Sequence, residues 1–119
     1  ATVDRQRCEE PYDFRIVATD TSQSAIQFAR RAAYSETEMQ RGITEIRRIK
    51  YFERQGDSWQ VVEPLKRLIE FRVMNLLKYQ ADTPTYDLIL CRNVLIYFDE
   101  PTRERICVQL RNSLASGGY

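Results

Sequence analysis

The 119-residue sequence contains no histidine. The commonest general base and imidazole metal ligand are thereby removed, so serine-hydrolase triads and zinc-hydrolase sites lose their central residue. Cysteine is sparse. Cys8, Cys91 and Cys107 are odd in number and never spaced C-x-x-C, so neither a disulfide framework nor a metal site is expected, and a reducing, cytoplasmic compartment fits. Charge of either sign is not in excess: 18 Lys and Arg face 17 Asp and Glu, a formal +1. That balance gives no basic field for nucleic acid and no acidic tail. No apolar run approaches the ~18 residues of a membrane span, and Ala1–Gln6 does not read as a signal peptide, so no membrane insertion is expected. Repeats and low-complexity segments are also lacking. What remains is an ordinary globular balance, 43% hydrophobic and 29% charged, in a length that allows one domain or part of one.

The patterns that are present alternate between strand and helix. Ala1–Asp13 is polar and aperiodic and reads as a tail or linker. "FRIVAT" (14–19) reads as a short buried strand closed by Asp20. Thr21 or Ser22 is placed to cap a helix over "SQSAIQFARRAAY", where Ala25, Ala29 and Ala32 share a face with Ile26 and Ala33 beside them. A charged stretch from 34 to 49 is expected to be partly helical, broken at Gly42. "KYFERQGDSWQVV" predicts a hairpin turning at Gly56-Asp57, with Tyr51, Phe52 and Trp59 as its small core rather than a base-stacking platform. Pro64 opens a short helical segment, and "IEFRVMNLL" alternates like a strand with one wet face. "YDLILC" (86–91) is a continuous apolar run, as in a strand covered on both faces. Asp99 then caps "EPTRERICVQLRNSL", with a stripe at Ile106, Leu110 and Leu114 and a stop at Gly117-Gly118.

Ligands in open α/β sheets sit beyond the carboxyl ends of the strands. Asp20, Asn75 and the pair Arg92-Asn93 fall at such ends. An ionised carboxylate there can accept two hydrogen bonds from a ribose, yet Asp20 can equally cap the following helix. Arg92 can pair with a nearby acid, Tyr97 can simply pack, and Asn75 can satisfy backbone groups at a strand end.

Taken together, "IVATDTSQSAIQFARRAAYS", "KYFERQGDSW", "IEFRVMNLL" and above all "YDLILCRNVLIYFDEPTRERI", followed by "LASGGY", resemble the catalytic domain of the CheR-type chemotaxis receptor methyltransferases. The likeness runs from Phe14 to Tyr119. It implies a partial Rossmann-like S-adenosyl-L-methionine-dependent methyltransferase fold of the α/β class with an inserted small antiparallel β-subdomain. Residues 1–46 would be the first part of the methyltransferase domain, 47–73 the receptor-docking insertion with its hairpin and third strand, and 74–119 the second part. The implied reaction is methyl transfer from S-adenosyl-L-methionine to glutamates of methyl-accepting chemotaxis receptors, with S-adenosyl-L-homocysteine as product. Asp20 would hold the ribose, Asn75 and Leu76 the adenine, and Arg92 and Asn93 the methionine part. Arg92 and Tyr97 would border the methyl acceptor. The short "ERQGDSW" turn implies docking without the receptor's C-terminal pentapeptide, which some members grip through a longer loop.

The family's helical N-terminal domain, first sheet strand and glycine loop have no counterpart here. "CEEPY" (8–12) is similar to an element that follows that loop, but it lacks the intervening helix and is set aside. The expectation is therefore an incomplete stretch of a longer enzyme, binding cofactor weakly by itself and open to self-association through unpaired sheet edges. Two other readings remain. One is a non-catalytic module whose hairpin binds a receptor or other partner. The other is a nicotinamide-dependent oxidoreductase, which would want a G-x-G-x-x-G turn and gives "CRNVLIYF" no role.

Overall fold

The computed structural model describes residues 15–81 and 85–119. The expected tail, "CEEPY" and most of the 81–85 loop fall outside the described residues. The architecture is mixed α/β, with one parallel and one antiparallel sheet, and the chain divides after Val73 into two compact units.

In the first unit β1 (Ile16–Asp20) leads into α1 (Gln23–Arg31). Ser22 is the cap: its hydroxyl accepts from Ala25 N at 3.2 Å, satisfying one of the donors a helix start leaves free. The helix ends earlier than expected. Ala32 takes a left-handed conformation (φ 50°), and Ala33–Ser35 turn into a strand, β2. Ile26 is the buried centre of the helix face, at 3% exposure; of the three alanines Ala32 is buried, Ala29 half-buried and Ala25 exposed. Two short helices follow, α2 (Glu36–Gly42) and α3 (Glu45–Tyr51). Ser35 and Glu38 close α2 with a reciprocal capping box, and Thr44 caps α3.

The hairpin forms as patterned. β3 (Phe52–Gln55) and β4 (Ser58–Val61) pair antiparallel about Gly56, whose φ of 59° suits glycine. The third strand of this sheet is not the one expected. β2 pairs with β4, whereas β5 (Ile69–Val73), after the short helix α4 (Glu63–Lys66), runs parallel to β1. Alternation with one wet face favours an antiparallel partner, and the parallel pairing with distant β1 leaves no local signal in the sequence.

The second unit holds a turn at 76–78, a 3₁₀ turn at Leu95–Tyr97, and α5 (Glu100–Ser113). Ile106, the most buried apolar side chain of the helix at 1% exposure, contributes roughly 2–3 kcal/mol by removal from water. The expected two-faced strand over "YDLILC" is not formed. Tyr86 makes a single parallel bridge to Leu114, and Leu88 and Leu90 stand 60% and 83% exposed. No described strand offers a ladder to this run. Its backbone instead bonds the segment after α5, with Ala115 N to Tyr86 O at 2.8 Å, Tyr119 N to Asp87 O at 3.0 Å and Ile89 N to Tyr119 O at 2.8 Å. The helix also stops at Ser113, ahead of the glycines. Gly117 and Gly118 serve the return instead. Gly117 has φ 80°, and a Cβ on Gly118 would meet the carbonyls of Ala115 and Asp87 at 3.0 Å.

Candidate functional site

Asp20 sits at the C-terminal end of β1, in register with Val73 of β5. Its Oδ1 accepts from Ser22 N at 2.8 Å. The capping role therefore belongs to Ser22, while Asp20 orients the turn with one oxygen. Its other oxygen has no partner among the described residues and is exposed, so it remains able to accept hydroxyl groups.

The remaining predicted site residues all lie in the second unit. Asn75 and Leu76 share one tight turn. Asn75 Oδ1 accepts from Leu77 N at 2.9 Å, an Asx turn that leaves the side-chain NH₂ free to donate. Lys78 N and Tyr79 N close the turn on Asn75 O and Leu76 O, at 3.0 and 3.3 Å. Leu76 lines a small cavity of 130 Å³ with Tyr79, Ile106 and Gln109. The half-buried Leu76 and the donor beside it suit the flat, acceptor-bearing edge of a purine.

Asn93 and Val94 form a bend, and Arg92 stands just before it. Asn93 adopts φ 59°, a conformation that asparagine tolerates better than most residues. Arg92 is exposed and makes no hydrogen bond or ion pair with any described residue, so the pairing with a nearby acid is not found and its guanidinium fork is uncommitted. Tyr97 ends the 3₁₀ turn at 80% exposure. It is not a packing residue here. No hydrogen bond joins Arg92, Asn93 and Tyr97 to one another. Cys91, next to them, is a poor nucleophile at neutral pH, because burial and then the nearby Cys107 push its thiol up from the ordinary value.

Two groupings escaped the sequence reading. Trp59 donates its indole N–H to Glu36 at 2.7 Å, and Arg48 stacks on the same ring at 4.9 Å while bonding Glu36 and Glu45, both at 2.8 Å. This cluster ties α2 and α3 to the hairpin. In the second unit, Tyr79 and the fully buried Ser113 share a hydrogen bond. Neither grouping has a sequence signature, since its members stand 23 and 34 residues apart. Among the described residues no group of acids and cysteines could hold a metal ion, and no helix is long and apolar enough to cross a membrane.

Across residues 1–119 the chain matches the family described as CheR methyltransferase, SAM binding domain. It is 39% identical over 105 residues to a chemotaxis protein methyltransferase of Vibrio parahaemolyticus, covering 87% of this chain and 38% of that protein. Over 106 residues it is 37% identical to chemotaxis protein methyltransferase 1 of Pseudomonas aeruginosa, covering 88% and 39%. A probable biofilm formation methyltransferase of the same species is 33% identical over 109 residues, covering 90% and 26%. The chain thus spans about two-fifths of the length of the chemotaxis relatives it matches.

Proposed function

Because this chain belongs to the CheR methyltransferase family, in its S-adenosylmethionine-binding domain, we propose that it is part of an enzyme methylating glutamate side chains of chemotaxis receptors. The observation that carries the reading is Arg92, an exposed guanidinium without any described partner, just before the Asn93–Val94 bend in the stretch on which the resemblance chiefly rests. The free residues fit the cofactor. Asp20 keeps one carboxylate oxygen for the ribose hydroxyls, Asn75 keeps its NH₂ and Leu76 an apolar surface for adenine, and Arg92 with Asn93 would hold the methionine part.

When bound, S-adenosylmethionine supplies a methyl group on a cationic sulfur, which an ionised carboxylate can accept without a base. The absence of histidine is therefore no obstacle. Arg92 would grip the acceptor carboxylate through paired N–H donors, fixing one oxygen toward the methyl group. The hydroxyl of Tyr97 would hold the same group from its other side. Orientation of this kind, rather than proton transfer, is what the reaction asks of these residues.

The hairpin about Gly56, with β2 paired beside it, would dock the receptor, and its two-residue turn favours docking without a C-terminal pentapeptide. The cytoplasm, where receptor helices carry their glutamates, is the compartment of action.

The test uses the full-length protein that contains these residues. It is titrated with S-adenosylhomocysteine and then supplied with methyl-labelled S-adenosylmethionine and receptor cytoplasmic fragments. Expected are stoichiometric binding and label that is released as methanol by alkali, the mark of a carboxyl ester. Label that resists alkali would overturn the glutamate assignment. Receptor binding without methyl transfer would favour the non-catalytic module.

A further inference from the structure

We propose that Tyr79 is a positioning residue for the cofactor site, setting the Asn75–Leu77 turn against α5. The inference rests on the reading of Asn75 and Leu76 as adenine contacts. The turn's own hydrogen bonds are all local, running between residues 75 and 79. They fix its shape but not its place. Its place is set by two tethers to the last turns of α5: Tyr79 to Ser113, and Ala81 N to Gln109 Oε1 at 2.9 Å.

The direction of the first tether follows from proton counting. Ser113 has one hydroxyl proton and gives it to Gln109 O at 2.9 Å. Tyr79 must therefore donate, and Ser113 accept, between the two hydroxyls. Ser113 is fully buried, so this acceptor is not exchanged for water. The Tyr79 ring meanwhile lines the same small cavity as Leu76 and Ile106. A rigid phenol thus spans from a buried anchor on α5 to the turn that carries Leu76.

The same count shows which substitution separates positioning from folding. In Tyr79→Phe, Ser113 still donates to Gln109 O, so no buried donor is stranded, and the ring still fills its place. Only the tether is lost. Ser113→Ala removes the same tether from the other side and, being small for small, offers a second route to the result.

Both variants and their combination are made in the full-length protein. S-adenosylhomocysteine affinity, methyl-transfer kinetics and melting midpoint are then compared with wild type. Each single change is expected to weaken cofactor binding and raise KM for S-adenosylmethionine about fivefold to twentyfold. At saturating cofactor, kcat should stay within about twofold, since acceptor orientation does not pass through this turn. The double variant should bind no worse than the weaker single one, as expected for two ends of one bond. Unchanged affinity in Tyr79→Phe, in a wild type that binds, would reject the inference and leave the cofactor site standing. Affinity, kcat and melting midpoint falling together would also reject it, assigning Tyr79 to the fold alone. A wild type that does not bind would reject the adenine contacts themselves, and the positioning role with them.

Discussion

Asp20 carries two roles on two oxygens, and they can be separated by substitution. Asp20→Asn keeps an oxygen that can accept from Ser22 N, so the turn into α1 should persist with little change in stability. It loses the charge and the second strong acceptor, and cofactor affinity should fall about tenfold to a hundredfold. Asp20→Ala should show the same loss of affinity and a weakened helix start as well. Titration with S-adenosylhomocysteine beside circular dichroism distinguishes the two variants. If Asn retains full affinity, Asp20 serves the turn only. At Arg92 the analogous comparison is Arg92→Lys. The exposed, unpartnered side chain contributes little to stability, so the melting midpoint should not move. The paired donors are lost while the charge remains, and kcat/KM for the acceptor should drop about tenfold or more, which steady-state methylation assays would read.

Between elements, the Glu36–Trp59–Arg48 cluster has a pH signature. The Trp59 hydrogen bond, chiefly, and then the nearby Arg48 hold the Glu36 carboxyl below the usual glutamate range, against the opposing effect of burial. A depressed value in the folded state means stability that is present above the unfolded pKa and lost as pH falls through the folded one. Trp59→Phe removes the largest cause, so Glu36 should titrate closer to its ordinary value. The acid limb of unfolding should then begin at higher pH, near the ordinary glutamate range rather than below it. Carboxyl NMR of Glu36 and acid titration of far-ultraviolet circular dichroism check the two halves; an unmoved Glu36 titration would mean that Arg48 and Gln40 hold it without Trp59. This cluster also marks where the sequence stops being legible. Helix starts could be read because Ser22 and Asp99 act on neighbours three residues away. The hairpin could be read because Gly56 sits between two apolar runs. The β2–β4 pairing and the bonds of Trp59 and Tyr79 join distant residues, and periodicity carries no information about them. At the site, the strand-end polar residues could be singled out by type and position. That Arg92 has no partner among the described residues, and that Asp20 spends one oxygen on Ser22, are properties of the folded chain that residue type does not carry.

At the scale of the whole chain, the balance of apolar burial is unfavourable. Among the described residues six apolar side chains are buried, whereas twelve large ones are exposed. Leu88, Leu90 and Ile96 are prominent among the latter, at 60%, 83% and 70%. A small core of this kind contributes little stability beyond the entropy cost of ordering the chain. The 119-residue stretch produced by itself should therefore unfold over a broad temperature range and bind a hydrophobic dye. In a protein of the relatives' length, of which these residues would be about two-fifths, the same segment would have further surface against which to pack. Calorimetry of the stretch and of the full-length protein, each with dye binding, makes the comparison. A sharp transition in the stretch would mean that its exposed leucines find cover, and the concentration dependence of the midpoint then identifies the cover. If the midpoint rises with protein concentration, a second copy supplies it, because association stabilises by mass action. If it does not, the leucines fold inward in solution, and the extended course of Asp87–Leu90 beside Tyr119 is replaced by a packed one.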